Sequence, residues 1–169
     1  MTLEDILTLF QYDEWATKRT VESLSPLSEE QYKRDLKSSH GGIHGTLVHI
    51  YSADCLWLER WKGNSNFAHF RPDEIPSLIA LNDRWEEYRG SLHAYLVNVT
   101  DAKFSAQFSY TDKSGSKRSE PLYQQMLQII NHASYHRGQI VTMLRQLGGK
   151  PLATDLILFY RTGQIPKSL

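Results

Sequence analysis

The chain has 169 residues, the usual size of one domain, and its 40% hydrophobic content is enough for a continuous apolar core. Nineteen basic residues balance nineteen acidic ones, so no net field draws it to nucleic acid or to an anionic membrane, and neither partner is expected. Cys55 is the only cysteine, which excludes an intramolecular disulfide.

Cys55 reads as a small core residue, as free cysteines usually are. Glu4 and Asp5 stand where a secretory signal would carry Lys or Arg, and no apolar run approaches the ~20 residues of a bilayer span. A cytoplasmic protein of one domain over residues 1–169 is expected.

The pattern predicts four long helices. The first starts at Thr2, which with Asp5 makes a capping box. It passes Ile6, Leu9, Phe10 and Val21 and stops at Ser25-Pro26. Ser28 and Gln31 resemble a second box, but Tyr32–Ser39 is polar and reads as a short helix or loop. From Ile43 the apolar positions Leu47, Ile50, Trp57 and Trp61 recur at helical spacing until Gly63, which makes the second long helix.

Residues 64–76 form a polar crossing. The third long helix follows Pro76 through Leu78, Leu81, Trp85, Tyr88, Leu92, Tyr95 and Val99. Phe104, Ala106, Phe108 and Tyr110 then alternate, and Asp112-Lys113-Ser114-Gly115 is turn chemistry, so a small β-hairpin is predicted.

Pro121 reads as the first-turn residue of the fourth long helix. Its inward stripe is Leu122, Met126, Ile129, His132, His136, Ile140, Met143 and Leu147, and Gly148-Gly149 ends it. A last short helix, capped by Thr154 and running over Asp155–Tyr160, buries Leu156, Ile157 and Phe159. The fold class expected is all-α: a four-helix bundle with short extra helices and a small β-hairpin before the last long helix.

Chemistry concentrates on the histidines. His132 and His136 are four apart, which puts both imidazoles on one helix face, able to converge on one ion. Two ligands hold a metal weakly, and a bundle supplies a third from a facing helix, for which His49 is the best placed. A lone buried histidine is more often hydrogen-bonded within the core. A buried pair, however, leaves two sets of ring nitrogens to satisfy, which favours a shared ion. His40 and His44 have the same spacing, but Gly41 and Gly42 separate them, so they read as exposed or supporting residues. His69 and His93 read as surface or packing residues.

Three blocks together resemble a known family: Gly42-Ile43-His44-Gly45-Thr46-Leu47-Val48-His49, Ala53-Asp54-Cys55-Leu56-Trp57-Leu58, and Asn131-His132-Ala133-Ser134-Tyr135-His136-Arg137-Gly138-Gln139. They look like the signatures of the DinB/YfiT-like family of metalloenzymes, and Leu147-Gly148-Gly149-Lys150-Pro151 with Thr154-Asp155 continues the likeness along nearly the whole chain. The resemblance implies a four-helix bundle, commonly homodimeric, with a divalent metal on His49, His132 and His136. The first helix departs from the family pattern at Asp13 and Thr17, where relatives often carry asparagine.

Three imidazoles leave coordination positions open on zinc or nickel, the two ions expected here, and an open position is what a catalytic site needs. Some relatives are thought to be transferases or isomerases that use low-molecular-weight thiols. The expected function is therefore metal-dependent transfer or hydrolysis on a small molecule, with a low-molecular-weight thiol as a candidate cofactor. Asn131, Tyr135, Arg137 and Gln139 either orient groups nearby or make helix-surface and interface hydrogen bonds. The alternative is a non-catalytic metal-binding homodimer with a structural or sensing role. Trp61 and Phe70, read as exposed aromatics, lend the dimer its support from the residues themselves.

Overall fold

The computed structural model describes residues 1–162, so the last positions of the expected 1–169 domain lie outside the described residues. Four long helices form a bundle: α1 (Leu3–Leu24), α3 (Ile43–Trp61), α4 (Leu78–Leu96) and α6 (Leu122–Gln146). Between and after them lie α2 (Glu29–Lys33), α5 (Asp101–Ser105), the hairpin strands β1 (Gln107–Thr111) and β2 (Lys117–Pro121), and α7 (Leu156–Arg161). In the bundle α6 touches α1 and α3, and α4 touches the same two from the other side. No helix among the described residues is long and apolar enough to cross a membrane.

Local chemistry sets the helix starts. Thr2 and Asp5 cap α1 reciprocally, Ser28 and Gln31 do the same for the single-turn α2, and Ser77 caps α4 through the Ala80 amide. The core between the long helices is apolar and closed, with Ile6, Leu81 and Leu122 wholly inaccessible to solvent.

Several expected boundaries move. Pro121 closes β2 and sits at the N-cap of α6 with an extended ψ of 140°, so the helix starts one residue later than its proline suggests. Phe104 belongs to α5, whose cap is Thr100, and the strand alternation begins only at Gln107. Asp155, not Thr154, takes the N-cap position of α7. Phe159 is buried there against Tyr12 and Trp15 of α1, while Ile157 stays exposed.

Trp61 is buried, in edge contact with Phe10 and stacked on Tyr95, and Phe70 is half-buried against Tyr51. Neither offers a partner an exposed aromatic face. Cys55 is half-buried beside the core as expected, and burial pushes its thiol up to about 12.

The chain after α6 is tied back to α1 by backbone groups. Tyr12 Oη donates to Thr154 O at 2.9 Å, Arg19 Nε to Ala153 O at 2.8 Å, and Leu152 N to Ser23 Oγ at 2.8 Å. Gln125 fastens the base of the hairpin. Gln125 of α6 donates to Phe108 O at 2.7 Å and Glu120 O at 3.0 Å, and accepts from Trp61 Nε1 at 3.2 Å. One buried amide thus joins both strands to α3 and α6, with its polar groups satisfied by those three bonds.

Candidate metal centre

Midway along α3 and α6, His49 faces His132 and His136. The ring centroids of His49 lie 4.9 Å from His132 and 4.6 Å from His136, and those two are 4.4 Å apart. His49 Nε2 and His132 Nε2 stand 3.0 Å from each other, a hydrogen bond in which one nitrogen donates and the other accepts. Two nitrogens bound to one tetrahedral ion at ~2.0–2.1 Å would be roughly 3.3 Å apart, so little movement separates this contact from shared ligation.

His136 is the most buried of the three, and its Nδ1 donates to Gln139 Oε1 at 2.8 Å. That bond fixes the tautomer and leaves Nε2 as the free lone pair, the arrangement that ligating histidines generally have. His132 Nδ1 is buried without a partner. Burial, helped by the neighbouring imidazoles, pushes His49 down to about 3 and His132 to about 4. Both are therefore neutral at physiological pH, the form a metal requires.

A fourth imidazole belongs to the cluster. His40 stacks on His49 with centroids 3.9 Å apart and planes 16° from parallel, and its centroid is 5.3 Å from that of His136. Nitrogens of His40, His49 and His136 all lie within 4.8 Å of one another, so proximity alone would make these three a ligand set. Ring orientation separates the two possible sets. An imidazole binds a metal in its own plane, and two nearly parallel planes a van der Waals distance apart cannot both contain one ion. The planes of His49, His132 and His136 cross steeply, at 61°, 78° and 69°, so one point can lie in all three.

Backbone geometry explains how His40 reaches this place. Lys37 and Gly41 both have positive φ, at 57° and 81°, and the segment folds tightly onto the start of α3 with Leu36 N donating to Gly41 O at 2.6 Å. It packs so closely that a Cβ added at Gly45 would lie 2.0 Å from His40 O. Gly45→Ala must therefore push the His40 backbone off the helix. A loss of about 1–3 kcal/mol in denaturant unfolding is expected, and an unchanged midpoint would mean that this contact is slack.

His44, the other half of the Gly-separated pair, points elsewhere: its Nε2 donates to Ile75 O at 2.8 Å. His93 is exposed on α4. His69 is more than a packing residue, because Ser52 Oγ holds its Nδ1 at 3.0 Å beside the cluster and its Nε2 is buried without a partner. The residues flanking His132 and His136 divide by role. Asn131 and Tyr135 are exposed, with the Tyr135 ring 5.0 Å from that of His136, whereas Gln139 and Arg137 turn inward.

Arg137 donates to Asp13 Oδ1 at 2.5 Å, to Thr17 Oγ1 at 3.2 Å and to Ser134 Oγ at 2.9 Å, which locks α6 to α1 directly behind His136. Asp13 and Thr17, the two departures in the first helix, are thus partners of one guanidinium. Burial pushes Asp54, close by on α3, well above the usual carboxylate range, and the charge of Asp13 adds to the rise. Of the two carboxyls Asp13 is the one ion-paired with Arg137.

In front of the histidines lies an open cleft of about 560 Å³, lined by His49 and His132 at one end and by Trp57, Arg60, His69, Tyr110 and Lys113 further along. Trp57 and Arg60 come from α3, Tyr110 from β1, and Lys113 from the hairpin turn. A cleft of that size is typical of small-molecule sites. Sequence reasoning missed Arg60 and His69. Arg60 had a visible signal, a charge set between Trp57 and Trp61 on an apolar helix, whereas His69 sits in irregular chain with no spacing to mark it.

Comparison with known proteins agrees with this architecture. Protein DinB of Bacillus subtilis (strain 168) is 24% identical over 165 residues, which span 89% of this chain and 91% of that protein. A DinB-like protein from Bacillus cereus, known from a crystal structure, superposes with a TM-score of 0.64 at 19% identity, covering 90% of this chain and 97% of that one, and so shares the fold. The DinB family itself matches residues 1–167, and on that match, spread over bundle, hairpin and histidine cluster alike, the chain belongs to the DinB family.

Proposed function

We propose that the protein is a metal-dependent enzyme which binds one divalent ion, zinc or nickel, through His49, His132 and His136, and transfers a group to or from a low-molecular-weight thiol or hydrolyses its substrate. The observation that carries this reading is the set of three steeply crossed, close-lying imidazoles, two of which, His49 and His132, line a cleft of small-molecule size. The donor set suits a borderline ion, and three protein nitrogens leave room for a further ligand.

When bound, such an ion supplies Lewis acidity and a nucleophile usable at neutral pH. The chain's own residues do the rest. Gln139 holds His136 in the tautomer that presents Nε2. Arg137, through Asp13 and Thr17, fixes the pitch of α6 against α1 so that His132 and His136 keep facing His49. His40 covers one face of His49 and keeps water from that side of the ring. The same reading extends to a cytoplasmic homodimer of one domain per chain that acts on a small molecule without nucleic acid; the resemblance to the family supports the dimer, and the balanced charge supports the absence of nucleic acid.

The test is activity of the zinc- or nickel-loaded chain against a thiol with an aryl halide, and against an activated ester, each beside the His136→Ala variant. Turnover of either pair that requires both the metal and His136 is the expected result. If the loaded protein binds metal yet exceeds the variant on neither, the catalytic reading falls and a structural or sensing site takes its place.

A further inference from the structure

The far wall of the cleft holds an unusual cation. Arg60 is only 6% exposed, and its guanidinium packs against a pair of touching aromatic rings, 4.9 Å from the centroid of Trp57 and 4.6 Å from that of Tyr110. Its one hydrogen bond among the described residues is long, from Nη2 to Thr111 O at 3.5 Å, and Nε is buried with no partner. No carboxylate forms an ion pair with it among the described residues. Asp112, the one acid lining the cleft, is taken by Arg118 at 2.8 Å and by the Ser114 and Ser116 amides of the hairpin turn. Lys113 lines the same cleft and has no ion pair among the described residues.

A buried guanidinium without a counter-charge is costly, and proteins keep one where a ligand supplies the missing charge. Trp57 and Tyr110, themselves in edge contact, pack against one side of Arg60, and its N–H groups, engaged only by the long Thr111 bond among the described residues, suit charge-assisted recognition of a carboxylate. Ala53 and Leu56, which also line the cleft, provide apolar surface between Arg60 and the histidines.

We propose that the cleft binds a small carboxylate-bearing molecule with an apolar body: the carboxylate on Arg60, Lys113 close to it, and the other end against His49 and His132. This deepens the functional reading above and rests on it only for what happens at the histidine end.

Benzoate and its uncharged isostere benzamide are the probes, titrated calorimetrically into the full chain both zinc-loaded and metal-stripped. In the stripped protein no ion can hold the carboxylate in place of Arg60. There benzoate is expected to bind about tenfold tighter than benzamide, the usual margin of a charge-assisted hydrogen bond over a neutral one. Arg60→Gln is expected to erase the difference and Arg60→Lys to keep part of it, with far-ultraviolet circular dichroism confirming the fold of each.

Equal affinity for the two probes in the unaltered chain overturns the proposal without recourse to any variant. So does a preference that survives in a folded Arg60→Gln protein, or inorganic phosphate binding at Arg60 in place of benzoate. The metal reading is judged separately, by zinc affinity in the same samples. Zinc without a benzoate preference sinks only the carboxylate site, and a benzoate preference without zinc sinks only the metal site.

Discussion

His136→Ala is expected to lower metal affinity by at least about a hundredfold, more than the roughly ten- to hundredfold that loss of a supporting hydrogen bond to a ligand costs. His136 is the most buried of the three proposed ligands and the only one whose second nitrogen is already held, by Gln139. Elemental mass spectrometry and competition with a chromogenic chelator measure the loss. Helix content should survive, because Ile129, Ile140 and Met126 on the same face are packed in an apolar core that involves no ion. A variant that unfolds instead would make the ion a structural element.

The same measurement on His132→Ala and His40→Ala decides which ring completes the set. In the proposed set His132 is a ligand and His40 a cover for His49, so His132→Ala is expected to lose the metal and His40→Ala to keep it. The reverse pattern would mean that proximity outweighs ring orientation at this centre and that His40, His49 and His136 are the ligands.

The second large effect is expected at Asp13. The Arg137 side chain is 3% exposed, and Asp13 is its sole ion-pair partner among the described residues. Asp13→Ala strands a buried guanidinium and should destabilise the protein by about 3–5 kcal/mol, read as the shift of a denaturant midpoint. Asp54 can recover part of that by ionising, which places the result toward the lower end. Replacing the pair together, Asp13→Leu with Arg137→Met, removes both desolvation costs and should be far milder than the single change. A single change costing less than about 1 kcal/mol would mean that Arg137 is solvated as an exposed pair would be.

Much of this was legible in advance because helical periodicity is a strong signal over long segments. The four long helices, the hairpin and the facing of His132 and His136 all follow from spacing. What spacing hides is the path of irregular chain. His40 joins the cluster only because Lys37 and Gly41 adopt positive φ and turn the segment back over α3, and a glycine pair in a sequence does not say in which direction it turns. Trp61 illustrates a different failure. It stands at the end of its helix, where aromatics are often exposed, but Tyr95 and Phe10 arrive from two other helices to cover it. Asp13 and Thr17 looked like losses relative to the family. Only the position of Arg137 shows them acting as one receptor for its guanidinium.

The way the hairpin is fastened has an evolutionary consequence. Gln125 grips the two strands at Phe108 and Glu120, and Trp57 and Arg60 hold Tyr110 and Thr111, so only the turn beyond, with Asp112 and Lys113, projects over the cleft without contributing to the apolar core. Its length and side chains can drift, or be grafted from a relative, while the bundle and the histidines stay as they are. Substrate preference in such a protein is free to diverge through the short turn between the strands, with the reaction centre inherited unchanged.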